Sequence, residues 1–291
     1  MAEQAAGRVG VVDAERAGAG DAGRADQVRL LFDAKAATWP EKYGPEGSLT
    51  GRLAQFAEGL ARRVPAGGRV LDLGCGTGDL ARAADAAGLR VTACDISPEM
   101  LLRAASGDRS QTGPGGSGGA GLSGSGGAVD WVRLDPQWRR LPFESAAFDA
   151  VVAASVLEYV ERPVDVLSEC ARVLRPAGIV LCTVPDPTHP VRWLEWLASA
   201  VARVPSVAAA GARWPRLDSY LTYLRISRQR RGARWWCAAA ARAGLLTVPA
   251  PVAAAGRSPL RLLAFQRPGT QRGQRPGIPG GQRPGSRGGN S

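Results

Sequence analysis

Nothing constrains this chain more than the segment Val70-Leu71-Asp72-Leu73-Gly74-Cys75-Gly76-Thr77-Gly78, answered by Cys94-Asp95 at the end of the next apolar run. A short apolar run led by β-branched Val70 reads as a buried strand, and three alternating glycines just past it allow a tight turn close to a ligand. Asp95 falls where a doubly wound fold places a ribose-binding carboxylate, roughly 20 residues on. A dinucleotide fingerprint starting at Gly74 would want Gly or Ala at position 79, yet Asp79 stands there, and Asp72 adds a second acid at the strand end. Two carboxylates would repel a pyrophosphate, whereas they suit a ligand carrying an ammonium and a sulfonium.

The same residues resemble class I S-adenosylmethionine-dependent methyltransferases, whose first motif looks like VLDLGCGTG with an acidic residue after the second strand. Leu141-Pro142-Phe143 is similar to the family's "LPF", Phe148-Asp149-Ala150-Val151-Val152 to its fourth strand, and Arg172-Val173-Leu174-Arg175-Pro176-Ala177-Gly178 to its "RVLKPGG" turn. These motifs cover roughly residues 30 to 186 in order, and the small-molecule branch that includes quinone-biosynthesis methyltransferases is the nearest in flavour. The resemblance implies S-adenosylmethionine as cofactor and an α/β, doubly wound, mostly parallel seven-stranded sheet. It further implies that Gly74, Gly76 and Gly78 approach the methionine part, with Asp72 receiving the ammonium. Asp95, followed by Ile96, would hold the ribose, Asp135 would meet the adenine amino group, Ala154 would line the methionine site, and Arg52 would approach the cofactor carboxylate.

Periodicity supplies the rest of the architecture. Helical spacing at Val28, Leu31, Phe32, Lys35, Ala36 and Trp39, and again from Leu49 to Arg62, predicts two lid helices before the sheet. Strands are expected at 69–73, 90–94, 129–133, 148–154 and 178–184, with helices at 79–87, about 163–174 and after a Ser97 cap with Pro98 at the first position. Alternating strands and helices imply a largely parallel sheet covered on both faces. The stretch 190–227, with Trp193, Trp196, Trp214, Tyr220 and Tyr223, predicts a helical cap that either contacts an apolar substrate or packs on the core. A last helix over 228–244 and strands near 245–249 and 260–265 complete the domain, taken as 27–265.

Three segments fall outside that pattern. Residues 1–26 are expected to form a disordered leader and 106–128 a flexible Gly/Ser insertion. Residues 266–291 repeat Gln-Arg-Pro-Gly at 266, 274 and 282, hold five Arg and no acid, and read as a disordered basic tail. That tail supplies much of the net charge of +11, which weakens a specific nucleic-acid reading. A basic patch from Arg225 to Arg234 suits an acidic substrate or peripheral contact with an anionic membrane. No apolar run is long enough to cross a bilayer and the start lacks a signal-peptide pattern, so the cytoplasm is the expected compartment. Five cysteines without metal-type spacing read as reduced and mostly buried.

Three residues are candidates for proton transfer. His189, the single histidine, lies just past the fifth strand. Glu158 and Tyr159 follow the fourth strand, where some quinone O-methyltransferases look like E-x-x-E-H and hold a metal; here Ser155 and Tyr159 replace the outer acid and the histidine, so no metal is expected. A short-chain oxidoreductase would need Tyr-x-x-x-Lys, but the lysines are Lys35 and Lys42, both before the first strand. An amino-methylating nucleic-acid enzyme would show Asn-Pro-Pro-Tyr where Ala153-Ala154-Ser155-Val156 stands. The expectation is transfer of a methyl group to a small or lipid-like acceptor, most readily at oxygen. Transfer to carbon or nitrogen, or a binding protein that transfers nothing, are the alternatives.

Overall fold

A computed structural model describes residues 10–11, 19–39, 50–110, 129–201, 214–227, 229–251 and 258–269. The strands are β1 (Gly10–Val11), β2 (Arg69–Leu73), β3 (Arg90–Asp95), β4 (Asp130–Arg133), β5 (Phe148–Ala153), β6 (Leu174–Pro185), β7 (Leu246–Val248) and β8 (Leu260–Gln266). The helices are α1 (Ala19–Lys35), α2 (Thr50–Ala61), α3 (Asp79–Ala86), α4 (Pro98–Ser110), α5 (Pro163–Val173), α6 (Val191–Val201), α7 (Pro215–Ile226) and α8 (Ala233–Arg242). The strands form one sheet in the order β1-β4-β3-β2-β5-β6-β8-β7, parallel except where β8 pairs with β6 and β7.

Strand alternation divides the core between the two faces. Val70, Ala150, Val152 and Leu181 pack with Phe56 and Leu60 of α2 and with residues of α3 and α4. Leu71, Val151, Val180 and Phe265 pack with Leu167 and Cys170 of α5 and with Trp236 of α8, which is fully buried. The connections after β2 and β5 leave toward opposite sides, so their carboxyl ends flank the crevice where doubly wound sheets bind ligands. Two of the family-like motifs are bound to each other here. Arg172 donates to the carbonyls of Leu141 and Phe143 at 3.0 and 2.8 Å, and Glu169 accepts the Leu141 amide at 2.8 Å.

The seven expected strands are present, and the two-residue β1 adds an eighth at the edge, parallel to Val132 and Arg133 of β4. The segment expected to be a disordered leader therefore contributes β1 and the first turns of α1. Helix α1 starts at Ala19 rather than near Val28 because Ala-rich sequence favours helix and because Arg24 is anchored at a distance, to the Ile226 carbonyl at 2.9 Å and to Glu161 at 3.5 Å. Strand β6 starts at Leu174 rather than 178. Phe148 pairs with Leu174 and Ala150 with Ile179, so the Arg175–Gly178 turn bulges out of a continuing strand. Ser97 caps α4 as expected, its Oγ accepting the Met100 amide at 3.1 Å. Of the proposed Gly/Ser insertion, residues 106–110 complete α4 and 111–128 lie outside the described residues. Of the proposed tail, 270–291 lie outside them, as do 202–213 of the proposed cap.

Candidate cofactor and acceptor site

A cavity of about 640 Å3 opens at the carboxyl edge between β2 and β5. Its floor is the glycine loop, with Gly74 and Gly76 exposed to the space alongside Asp95, Ile96, Leu134 and Ala154. Its roof is α1 laid over α7, where Val28 and Leu31 pack against Ile226 with Phe32, Tyr159 and Tyr223 around them.

Gly74 has φ 71°, and a Cβ there would lie 2.3 Å from Val156 Cγ2, so only glycine allows the β2 end and the β5 loop to meet. Gly78 does not line the cavity. It fits beneath, where a Cβ would strike the Trp131 ring at 2.4 Å, and it begins α3. Asp95 fixes the loop from the other side. Its Oδ2 accepts the Gly76 amide at 2.8 Å and its Oδ1 the Ser97 amide at 2.9 Å, leaving a lone pair on each oxygen for ligand hydroxyls. Burial pushes the Asp95 carboxyl up, against the bonds from the Ser97 and Gly76 amides that favour its charge.

Asp72 lies under the loop with 1% exposure, and neither of its oxygens has a hydrogen-bond partner. Burial first, then the nearby Asp95 charge, push its carboxyl to about 7, while Arg52 draws it down. A buried carboxylate without a donor is costly unless a cation completes it. This fits a ligand that brings an ammonium and a sulfonium to the loop. Arg52, on α2, lines the cavity and donates to Ser155 Oγ at 3.0 Å. Ser155 is held at φ 59°, its amide bonded to Thr183 Oγ1 at 2.9 Å, a left-handed conformation that a non-glycine residue keeps only when its surroundings enforce it. Asp135 turns its Oδ1 to the Gln137 amide at 2.7 Å, and its neighbours Leu134, Pro136 and Gln137 line the cavity.

Opposite the loop the lining changes. Glu158 is 4% exposed and lines the cavity, and its Oε2 accepts the Ser227 hydroxyl at 2.7 Å. Burial pushes its carboxyl up, opposed by that hydrogen bond and by the Arg192 and Arg230 charges. Glu195 is also buried and is ion-paired with Arg192 and, at 3.2 Å, with Arg230. Tyr223 sits between cations, with Lys35 Nζ 5.3 Å and the Arg230 guanidinium 5.9 Å from its ring centre, and burial pushes its phenol to about 12. Tyr159 stands edge-on to Phe32 at 5.1 Å and to Tyr223 at 6.4 Å.

His189 does not join this group. It lines a separate cavity with Asp186, Thr188 and Arg261, and its Nδ1 accepts the Val191 amide at 3.2 Å at the start of α6. Its position past the expected fifth strand is as read from the sequence, but the loop turns it away from the glycine side. Arg192 and Glu195 line the cavity and are not singled out in the sequence, whereas Lys35 and Trp39 are read there only as part of a lid helix and Tyr223 is among the cap aromatics. A charged pair inside an apolar helix, Arg192 and Glu195, was the available signal. Among the described residues, no three His, Cys, Asp or Glu side chains converge as a metal site.

A family profile described as a methyltransferase domain matches residues 71–182. A demethylmenaquinone methyltransferase from Clavibacter sepedonicus is 36% identical over 220 residues, covering 69% of this chain and 81% of the relative. A ubiquinone biosynthesis O-methyltransferase from Xylella fastidiosa is 33% identical over 148 residues, covering 50% of this chain and 54% of the relative, so the chain spans about half the length of the O-methyltransferases it matches. Among solved structures, a chain from the complex between the Haloferax volcanii Trm112 methyltransferase activator and a methyltransferase superposes with TM-score 0.52 at 22% identity, over 81% of this chain and 97% of that one. Fold, motif order and sequence relationship coincide, and the chain belongs to the class I S-adenosylmethionine-dependent methyltransferases, the family of its demethylmenaquinone methyltransferase relative.

Proposed function

We propose that this protein methylates a small, largely apolar acceptor at oxygen, using S-adenosylmethionine. The observation that carries this reading is a single cavity with the glycine loop and Asp95 at one end and a buried carboxylate, Glu158, among aromatic rings at the other. Relatives named for ubiquinone biosynthesis O-methylation support the choice of oxygen.

When bound, the cofactor supplies an electrophilic methyl carbon on a positively charged sulfur. Gly74, Gly76 and Asp95, with Asp72 beneath the loop, would hold and orient it, and Phe32, Tyr159 and Tyr223 would position an acceptor and exclude water. An acceptor hydroxyl placed beside Glu158 would give its O–H proton to that carboxylate, which would pass it on to solvent. Ser227 aims Glu158 and favours its charged form against the burial that pushes its carboxyl up. Arg192 and Arg230 neutralise Glu195 beside it, so Glu158 faces no uncompensated like charge.

The test is incubation of the purified full chain with cofactor carrying a 13C methyl group and a panel of phenolic and hydroquinone acceptors of increasing tail length. Product with the chemical shift of a methyl ether supports the reading. A methyl on carbon or nitrogen, or cofactor binding without turnover on any acceptor, overturns it.

A further inference from the structure

Helix α1 roofs the cavity, yet few apolar contacts hold it there. Of its described side chains only Val28 and Leu31 are buried, both against Ile226 at the end of α7, while Arg24, Phe32 and Lys35 line the cavity. Polar bonds fasten it at both ends. Arg24 donates to the Ile226 carbonyl at 2.9 Å, and about 14 Å farther along the helix Asp33 Oδ1 accepts the Ser97 hydroxyl at 2.5 Å. Asp33 is not among the side chains that line the cavity, so it reaches a bound ligand only through Ser97.

Ser97 is fully buried and serves two carboxylates. Its amide donates to Asp95 Oδ1 at 2.9 Å and its hydroxyl to Asp33, while the hydroxyl oxygen accepts the Met100 amide as the cap of α4. A cap uses only a lone pair of that hydroxyl, which leaves the proton for α1. Two carboxylates are therefore held on one residue, and like charges so placed oppose each other. Arg29 relieves this in part, since its guanidinium bonds Asp33 Oδ2 at 2.8 Å and also faces Asp26 at 3.6 Å. Hydroxyls donated to Asp95 by a ligand would draw off its charge and lessen the repulsion at Asp33.

We infer that Asp33 is a positioning residue for methyl transfer: through Ser97 it makes the seating of α1 over the cavity depend on whether Asp95 holds the cofactor's hydroxyls. The inference rests on the cofactor lying at Asp95 and needs nothing from the identity of the acceptor. Ribose binding and the Asp33–Ser97 bond strengthen each other, and by linkage a fastened α1 raises cofactor affinity by the factor with which the cofactor fastens α1. The consequence reaches the other half of the cavity. Phe32 adjoins Asp33 in the chain and stands edge-on to Tyr159 at 5.1 Å, so the seating of α1 sets the aromatic wall that an acceptor would meet.

The test is amide hydrogen exchange of the full chain with and without S-adenosylhomocysteine. In wild type the ligand should slow exchange across residues 24–35 by about fivefold or more. Asp33→Ala should remove that response while the glycine loop remains protected by the ligand, and calorimetry should show affinity for S-adenosylhomocysteine falling by a comparable factor. Asp33→Asn keeps an oxygen for the Ser97 hydroxyl without a charge facing Asp95, so α1 should be protected alike in both states. A residue that only stabilises α1 would raise exchange equally with and without ligand and leave the affinity unchanged, and that result overturns the inference. So does an Asp33→Ala chain whose α1 still responds in full, since direct contact of the ligand with Phe32 or Lys35 would then be the cause. An Asp33→Asn chain with the wild-type response overturns it as well, because the charge would not be the link. Wild type that binds the ligand without slowing α1 overturns this inference alone, whereas wild type that does not bind it removes the cofactor site and the inference together.

Discussion

Gly76 donates its amide to the Asp95 carboxylate at 2.8 Å, a bond across 19 residues that ties the glycine loop of β2 to the end of β3. The carboxylate shapes the glycine loop, and in the proposed site its remaining lone pairs would meet the cofactor's hydroxyls. Asp95→Ala removes both and leaves the Gly76 and Ser97 amides without an acceptor. Hydrogen bonds to a charged group are worth about 1.5–3 kcal/mol each. Calorimetry should therefore show S-adenosylmethionine affinity falling by at least about a hundredfold, two such bonds to ligand being lost. Unchanged affinity would remove Asp95 from the site.

Asp72 gives the site a pH dependence whose sign follows from its burial. Its carboxyl rises from the ordinary 3.8 to about 7 in the folded chain without cofactor. Below pH 4 both folded and unfolded states hold the proton, and the full contribution to stability is present. Between pH 4 and 7 the unfolded chain gives up its proton and the folded chain does not, so that contribution is lost, roughly 4 kcal/mol at most. Asp72→Asn should accordingly raise the melting temperature above that of wild type at pH 8 and leave it little changed at pH 4. Cofactor affinity should move the other way. A cation binds the ionised carboxylate, so wild-type affinity should climb as pH rises toward 7 and the Asn variant should be weaker and nearly flat.

The parts of this molecule that could be read from the sequence are those built by neighbours in the chain. Val70 to Gly78 and Ser97-Pro98 carry their geometry in a few adjacent residues, and the strand and helix bounds around them agree with expectation to within a residue or two. What could not be read depends on pairing across the fold. The early start of α1 rests on Arg24 reaching Ile226, 202 residues away, and the setting of Glu158 rests on Ser227, 69 residues away. His189 shows the same limit from the other side. Its chemistry and its place after the sheet made it a candidate base, but a bond from the Val191 amide turns it into the N-terminal turn of α6. A lone residue type indicates what chemistry is available, whereas long-range contacts decide which cavity receives it.

The close approach of Gly74 to Val156 predicts a specific pair of outcomes. Gly74→Ala places a methyl where Val156 Cγ2 now lies and imposes positive φ on a side-chain-bearing residue. Stability should fall by about 2–4 kcal/mol, with a drop of several degrees in thermal unfolding. Val156→Ala in the same chain removes the clashing methyls and should restore part of the loss, leaving only the backbone cost. If the double variant is no more stable than Gly74→Ala, the clash is not the cause.

Glu158 and Ser227 test the proton path. Glu158→Gln keeps the shape of the side chain and its bond to Ser227 but cannot take a proton, so kcat should fall by about 10²–10⁴ while cofactor affinity holds. Ser227→Ala is the more informative variant. Its hydroxyl donates to the ionised form of Glu158 and so favours the charge. Without it the carboxyl rises further, and because the base acts only when ionised, the acidic limb of the pH–rate profile should shift to higher pH. At high pH, where Glu158 is ionised in both proteins, the rates should converge. A uniform loss of rate at every pH would instead mean that Ser227 only supports the packing of α7, and a wild-type profile in Glu158→Gln would exclude this carboxylate as the proton acceptor.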